Sequence, residues 1–389
     1  MKVLIAIDSF KGSLSSLEAG NAVKSGIEKL GCEVLVKPIA DGGEGSVEAL
    51  ADALKAKFMD VIVANPLGEK TPARYALKGE LGILEMASAS GLPLIEKSRR
   101  NPLKTSTYGF GEMIAHAIAH GARKFIIGIG GSATNDAGMG MLRALGFKFK
   151  DANGAELAGA GEDLIKLATI DCTSVLPHLK ECEFLIACDV DNPLFGENGA
   201  AYIYAPQKGA DAAMVKQLDA GLINFASVVS KHLGRELWNS PGAGAAGGLG
   251  FGFVSFLNAT LKPGIDIITE EIGLDRDMKD AELVITGEGR LDFQSSMGKT
   301  PCGVAKIAAR YGKPVIALAG CVSSCAGGCN EHGIGAFFCI LNEPMSLERA
   351  MEKETATQNL ARVAEQAVRL FLLGRGAKGF WTEISKRIR

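Results

Sequence analysis

Apolar residues fall along this chain in short runs that end at a carboxylate or a glycine, and between the runs they recur at helical spacing. Residues 3–7, Val-Leu-Ile-Ala-Ile, stop at Asp8 and have the pattern of a parallel strand buried on both faces. The polar loop Ser9-Phe-Lys-Gly-Ser-Leu14 follows, and Ser15-Ser-Leu-Glu18 has the spacing of a capping box. Ala19, Val23, Ile27 and Leu30 then share one helical face before Gly31. Residues 33–39 read as a second strand, so the chain opens as a β-loop-α-β unit.

The same grammar recurs downstream. Ser106 and Thr107 are placed to cap a helix with Phe110, Ile114, Ala117 and Ile118 on one face, leading to a strand over 124–129. A strand over 184–188 ends at Asp189, and one over 283–286 ends in Gly287-Glu-Gly289. Pro301 suits a first helical position, strands follow over 315–319 and 336–341, and Leu360, Val363, Ala364, Ala367, Val368 and Phe371 mark a long last helix. Residues 59–86 break the rhythm. Short β runs at 61–64, 73–77 and 83–86 are joined by turns such as Asn65-Pro-Leu-Gly68, which predicts an antiparallel meander. Residues 175–179 and 207–222 read as surface segments. The pattern predicts an α/β protein of two α/β domains. A Rossmann- or flavodoxin-like parallel-sheet domain, residues 1–59 plus 281–389, is interrupted by a large inserted α/β domain, 60–280, which holds the meander. Ligands of α/β domains bind at carboxyl strand ends, so the loops there are the places to look for a site.

Composition narrows the function classes. With 42 Lys+Arg against 44 Asp+Glu, the net charge of -2 excludes a dominant basic surface for nucleic acid. Forty-nine glycines against 13 prolines point to tight turns and close backbone approaches rather than to linkers. The nine cysteines are odd in number, several lie in apolar runs, and no signal peptide is visible, so free thiols in a reducing cytoplasm are expected. The charge-free stretch 237–261 carries six glycines between 242 and 252 and is a poor membrane helix. The basic tail, 378–389, reads as a solvated helix end.

Chemistry concentrates in the loops. Gly128-Ile-Gly-Gly-Ser-Ala-Thr-Asn-Asp136 runs from a strand into a helix, where backbone N–H groups and the helix dipole suit an anion. Gly130, Gly131 and Ser132 are the phosphate candidates, with Thr134 and Asn135 as further donors. The loop also satisfies G-x-G-x-x-A, and Asp151 ends the run from Phe147, so a nicotinamide-dependent oxidoreductase acting on a small hydroxy acid is the rival reading. Against it, Asp136 would repel a pyrophosphate. A Walker A match at Ser296-Met-Gly-Lys-Thr300 fails because Phe293 stands where the loop needs glycine. His116 and His120 lack the glutamate of a zinc motif, and Cys321, Cys325, Cys329 and His332 match no metal spacing. Asp41-Gly-Gly-Glu-Gly45, Asp189-Val-Asp191 and Gly287-Glu-Gly-Arg-Leu-Asp292 set carboxylates beside glycines, which suits Mg²⁺ held jointly with phosphate oxygens. Lys11, between Ser9 and Ser13, is placed to bind phosphate or carboxylate.

Taken together, Asp8-Ser-Phe-Lys-Gly-Ser13, Pro38-Ile-Ala-Asp-Gly-Gly-Glu-Gly45, the 128–136 loop, Ala187-Cys-Asp-Val-Asp-Asn-Pro193, Gly244-Ala-Ala-Gly-Gly-Leu-Gly250 and Thr286-Gly-Glu-Gly-Arg-Leu-Asp292 resemble the type-1 glycerate kinases of bacteria. Cys321 to Cys329 and the tail after Gly374 depart from that pattern without touching the motifs. The resemblance implies transfer of the γ-phosphoryl of ATP, with Mg²⁺, to D-glycerate, more commonly at the 2-hydroxyl than at the 3-hydroxyl, at an active site in the cleft between the two domains. On that basis Asp189 and Asp191 are the Mg²⁺ candidates. Lys11 and Arg290 are expected to meet the glycerate carboxylate or the moving phosphoryl. Asp292 or Asp8 would orient the acceptor hydroxyl. Ser9, Ser13, Asp41 and Glu44 are expected around the substrate. The expected partners are these small molecules, without nucleic acid or membrane, and a homo-oligomer is left open.

Overall fold

Strands and helices alternate through the computed structural model, which describes residues 1–40, 45–292 and 300–375. Asp41, Glu44, Phe293, most of the Walker-like segment and the basic tail lie outside the described residues. The strands are β1 (Lys2–Ile5), β2 (Glu33–Val36), β3 (Lys57–Ala64), β4 (Lys70–Lys78), β5 (Leu81–Glu85), β6 (Lys124–Gly128), β7 (Lys148–Lys150), β8 (Thr169–Asp171), β9 (Glu183–Ala187), β10 (Thr260–Lys262), β11 (Leu283–Leu291), β12 (Val315–Val322) and β13 (Ala336–Cys339). The chain divides into two compact units, residues 1–41 with 268–389 and residues 42–267. The helix Ser46–Leu54 and strand β3 therefore belong to the second unit, earlier in the chain than the expected start at residue 60.

The first unit is built on a five-stranded sheet of order β13-β12-β11-β1-β2 in which every pairing is parallel. Its apolar strand runs are buried from both sides, and Val3, Ile5, Leu283, Ile285 and Leu318 lie in its core. Numbered within the unit, the strand order is 2-1-3-4-5, the flavodoxin-like arrangement. Its switch point lies between β1 and β11, whose registers meet at Val3↔Leu283. The helix Ser16–Ile27 begins with the expected capping box. Ser15 Oγ accepts from Glu18 N–H at 3.2 Å, and the Glu18 carboxylate accepts from Ser15 N–H at 3.0 Å.

β11 departs from the sequence reading. Gly287, Glu288, Gly289 and Arg290 were expected in a loop, yet β11 continues through them to Leu291. The cause is its neighbour: β12 stays in register beside it as far as Leu291↔Val322. Glycine and charge lower strand propensity, but a strand paired at full length overrides that local preference.

The second unit has a six-stranded sheet of order β10-β9-β6-β5-β4-β3. β3, β4 and β5 form the antiparallel meander, and β5, β6, β9 and β10 run parallel. Residues 207–222, expected at the surface, instead lead into the helix Ala212–Leu233, which buries Val215, Leu218, Leu222 and Phe225 in the core. β7 pairs antiparallel with β8 in a separate two-stranded ribbon. Among the described residues, no helix is long and apolar enough to cross a membrane.

Candidate active site

In the first unit a cavity of about 580 Å³ opens at the switch point, where β1 and β11 hand the chain to their loops. Asp8, Ser9, Lys11, Ser13, Arg290 and Asp292 all line it, so six expected residues from two distant stretches of sequence come together. Glu288, which the sequence reading did not single out, lines it too. The extension of β11 explains this grouping. Positions 288 and 290 alternate along β11 and so fall on one face of it, and Asp292 follows directly after its end. Arg290 and Asp292 form an ion pair at 3.5 Å.

Asp8 is fixed where β1 ends. It is 6% exposed; Oδ1 accepts from Ser9 N–H at 2.6 Å and Oδ2 from the Thr300 hydroxyl at 2.7 Å. Lys11 is exposed at the mouth, and the buried Ser13 hydroxyl has no hydrogen-bond partner. The apolar side chains of Phe10, Leu341, Met345, Leu347 and Met351 line the same cavity.

In the second unit the chemistry gathers where β5, β6 and β9 end. Gly130 and Gly131 form an exposed turn after β6, tied down by Leu92 N–H on the Gly131 carbonyl at 2.9 Å. Ser132 is 8% exposed, while Thr134 and Asn135 have no exposed surface. Thr134 Oγ1 and both polar atoms of the Asn135 amide are buried without a hydrogen-bond partner. The expected helix dipole fails. The helix starts late, at Met139, and its first N–H groups are already used. Asp136 accepts from Gly138 and Gly140, and Thr107 Oγ1 accepts from Met141. Asp136, fully buried, also receives the Thr107 N–H and hydroxyl at 2.7 Å each. Burial pushes its carboxyl above the usual range, opposed by those donors.

Asp189 and Asp191 are exposed beyond β9, and Asp189 Oδ1 accepts from Gly264 N–H at 3.0 Å. Two carboxylates offer the hard oxygen donors that Mg²⁺ prefers. No cluster of three or more metal-ligating side chains occurs among the described residues, so a cation here would complete its shell with phosphate oxygens and water. Two further residues escaped the sequence reading. Glu85 ends β5 and accepts from Val47 N–H at 3.2 Å. Burial pushes it up to about 7, against the pull of the backbone N–H groups of Val47, Ser46 and Gly45. Its signal was present, a carboxylate ending an apolar run as Asp8 does. Lys208 is completely buried, and nothing in Pro206-Gln-Lys-Gly209 separates it from a solvated turn.

The dinucleotide reading does not survive this geometry. Its acidic residue should end the parallel strand next to the glycine-rich turn. Asp151 instead follows β7 in the antiparallel ribbon and accepts from Asn153 and Ala155 N–H of its own turn, both at 2.9 Å.

Comparison with known proteins points the same way. The profile of the Glycerate kinase family matches residues 3–372. A glycerate kinase of Halalkalibacterium halodurans is 45% identical over 371 residues, covering 93% of this chain and 98% of that protein. A glycerate 2-kinase of Escherichia coli is 44% identical, with 96% and 99% covered. A solved crystal structure of a candidate glycerate kinase 2 from Salmonella typhimurium LT2 superposes with a TM-score of 0.89 at 41% identity, covering 97% of this chain and 99% of that one.

Proposed function

The chain belongs to the glycerate kinase family, and from that membership we propose that it transfers the γ-phosphoryl of ATP to D-glycerate, giving 2-phosphoglycerate. The observation that carries the reading is the family match over residues 3–372. The 2-hydroxyl is chosen because a relative of 44% identity is a glycerate 2-kinase. The compact units serve as the two domains of the enzyme.

Phosphoryl transfer asks a protein for positioning and for positive charge near the phosphates. Lys11 and Arg290 supply that charge in the first unit and meet the glycerate carboxylate or the transferring phosphoryl. Asp8 orients the acceptor hydroxyl. It is rigid and buried, whereas Asp292 is already drawn to Arg290. Ser9 and Ser13 offer hydroxyls to the substrate, and the unpartnered Ser13 hydroxyl supports that role. The exposed turn of Gly130 and Gly131, with Ser132, binds phosphate oxygens through backbone N–H groups. Asp189 and Asp191 hold Mg²⁺, which when bound offsets phosphate charge. The nine cysteines are all unpaired thiols, which supports a reducing compartment, the cytoplasm.

A coupled ADP-release assay across small hydroxy acids, with Mg²⁺ present and then chelated, tests the reading. We expect ADP release with D-glycerate that ceases on chelation, and a product whose phosphorus couples to the C2 proton in NMR. Turnover with a nicotinamide and none with ATP would overturn the proposal. Coupling to C3 protons would overturn only the site of transfer.

A further inference from the structure

Beneath the Gly130-Gly131-Ser132 turn lies a lysine that the reaction outlined above does not use. We propose that Lys208 is a positioning residue of the phosphate site, fixing the Ser132 hydroxyl so that its proton points at the bound polyphosphate and backing the turn with positive charge. The proposal rests on the reading of this turn as the phosphate site and adds a residue to it.

The geometry is specific. Lys208 Nζ donates to Ser132 Oγ at 2.7 Å and to the Thr134 carbonyl at 2.6 Å, so one side chain clamps the turn at two points. In its charged form Lys208 can only donate. The Ser132 oxygen then accepts, and the hydroxyl's own proton is left to serve another acceptor. Ser132 keeps a little exposed surface, so that acceptor can come from outside.

The local chain is shaped to deliver this lysine inward. It ends the short 3-10 turn Pro206–Lys208, among buried Ala200, Ala201 and Ala205. Gly209 follows with φ +99, and a Cβ there would stand 2.4 Å from the Arg100 carbonyl oxygen. Only glycine closes that turn.

A buried lysine is costly, since burial removes its hydration. Burial pushes Lys208 down to about 7, with the Asp136 carboxylate working in the opposite direction. An apolar side chain in the same slot would fold at less cost. Perturbed, desolvated groups cluster at functional sites.

The test compares wild type with Lys208→Met, Ser132→Ala and the double variant, each first checked for folding by circular dichroism. KM and kcat are measured for MgATP and for glycerate. Binding of inorganic tripolyphosphate is read from the shift in melting temperature. We expect Lys208→Met to raise KM for MgATP about tenfold or more, with KM for glycerate little changed, and to lose most of the tripolyphosphate shift. Ser132→Ala should give part of that effect. Adding it to Lys208→Met should cost nothing further, because the hydroxyl acts through the lysine.

A purely structural lysine would lower the melting temperature without moving KM for MgATP. A folded Lys208→Met enzyme with wild-type KM and tripolyphosphate shift overturns the proposal. If Lys208→Met does not fold, a Ser132→Ala enzyme with wild-type KM for MgATP does so instead. A wild type that neither turns over ATP nor responds to tripolyphosphate removes the phosphate-site reading, and this proposal with it.

Discussion

At the scale of single residues, the first unit's site was legible because its chemistry sits where strands end. Asp8 stops an apolar run, and Lys11 follows in a loop with small polar residues. Those local signals suffice in a parallel sheet, where the loops leaving carboxyl strand ends form the binding face. Lys208 carries no such signal, since its burial comes from tertiary packing far along the chain, against Ser132 and Thr134. Lys11 gives a prediction at this scale. It is exposed, so Lys11→Ala should leave the melting temperature within about 1 °C of wild type, as surface substitutions do. If its ammonium meets the charge developing in transfer, kcat should fall about 10²-fold. If it holds only the glycerate carboxylate, KM for glycerate rises while kcat stays. Steady-state kinetics with both substrates separate these outcomes, and wild-type constants for both would remove Lys11 from the site. Asp8→Asn should lower kcat in the same assay with KM for MgATP unchanged. An unaltered kcat would return the orienting role to Asp292.

At the scale of elements, periodicity predicted well and glycine predicted poorly. The capping box of Ser15 and Glu18, the meander of β3 to β5 and the last helix follow from local pattern alone. Errors cluster where a glycine has a tertiary cause. Gly287 and Gly289 suggested a loop, but β12 holds them in β11. In Gly244-Ala-Ala-Gly-Gly-Leu-Gly250, a motif that carries the resemblance, the glycines serve packing: Ala246, Gly247 and Gly248 make a left-handed kink at the start of the buried helix Ala245–Phe256. Gly247 there has φ +72, and a Cβ would lie 2.1 Å from the Thr134 carbonyl oxygen, the same atom that accepts from Lys208. Gly247→Ala therefore meets backbone strain and a collision together. We expect it to cost about 2–4 kcal/mol in urea unfolding and to raise KM for MgATP by displacing Thr134. An alanine variant as stable as wild type would mean that the 134–137 backbone gives way freely. Ser15→Ala is a milder case. Loss of the cap should cost about 1 kcal/mol and leave both KM values alone.

At the scale of the whole molecule, two buried groups of opposite charge type make stability depend on pH in opposite directions. The Glu85 carboxyl is pushed by burial from 4.5 up to about 7. Between those values the unfolded chain has lost this proton and the folded protein keeps it, so stability falls as pH rises through that window. The rise of the buried Asp136 carboxyl above 3.8 acts in the same sense. Lys208 is pushed by burial from 10.5 down to about 7. From about 7 to 10.5 the unfolded chain binds the extra proton, so stability climbs with pH across that second window. Jointly the two groups place a relative minimum of stability near neutrality, which a net charge of only -2 would not suggest. Urea unfolding of wild type, Glu85→Gln and Lys208→Met at about pH 5, 7 and 9 separates the contributions. Relative to Glu85→Gln, the wild type should lose stability from pH 5 to 7 and hold level from 7 to 9. Relative to Lys208→Met, it should hold level from pH 5 to 7 and gain from 7 to 9. Curves for Lys208→Met that run parallel to wild type at all three values would mean that the lysine keeps its proton when folded, through the nearby Asp136 charge. The turn above it would then be backed by a permanent cation rather than by one that titrates near neutral pH.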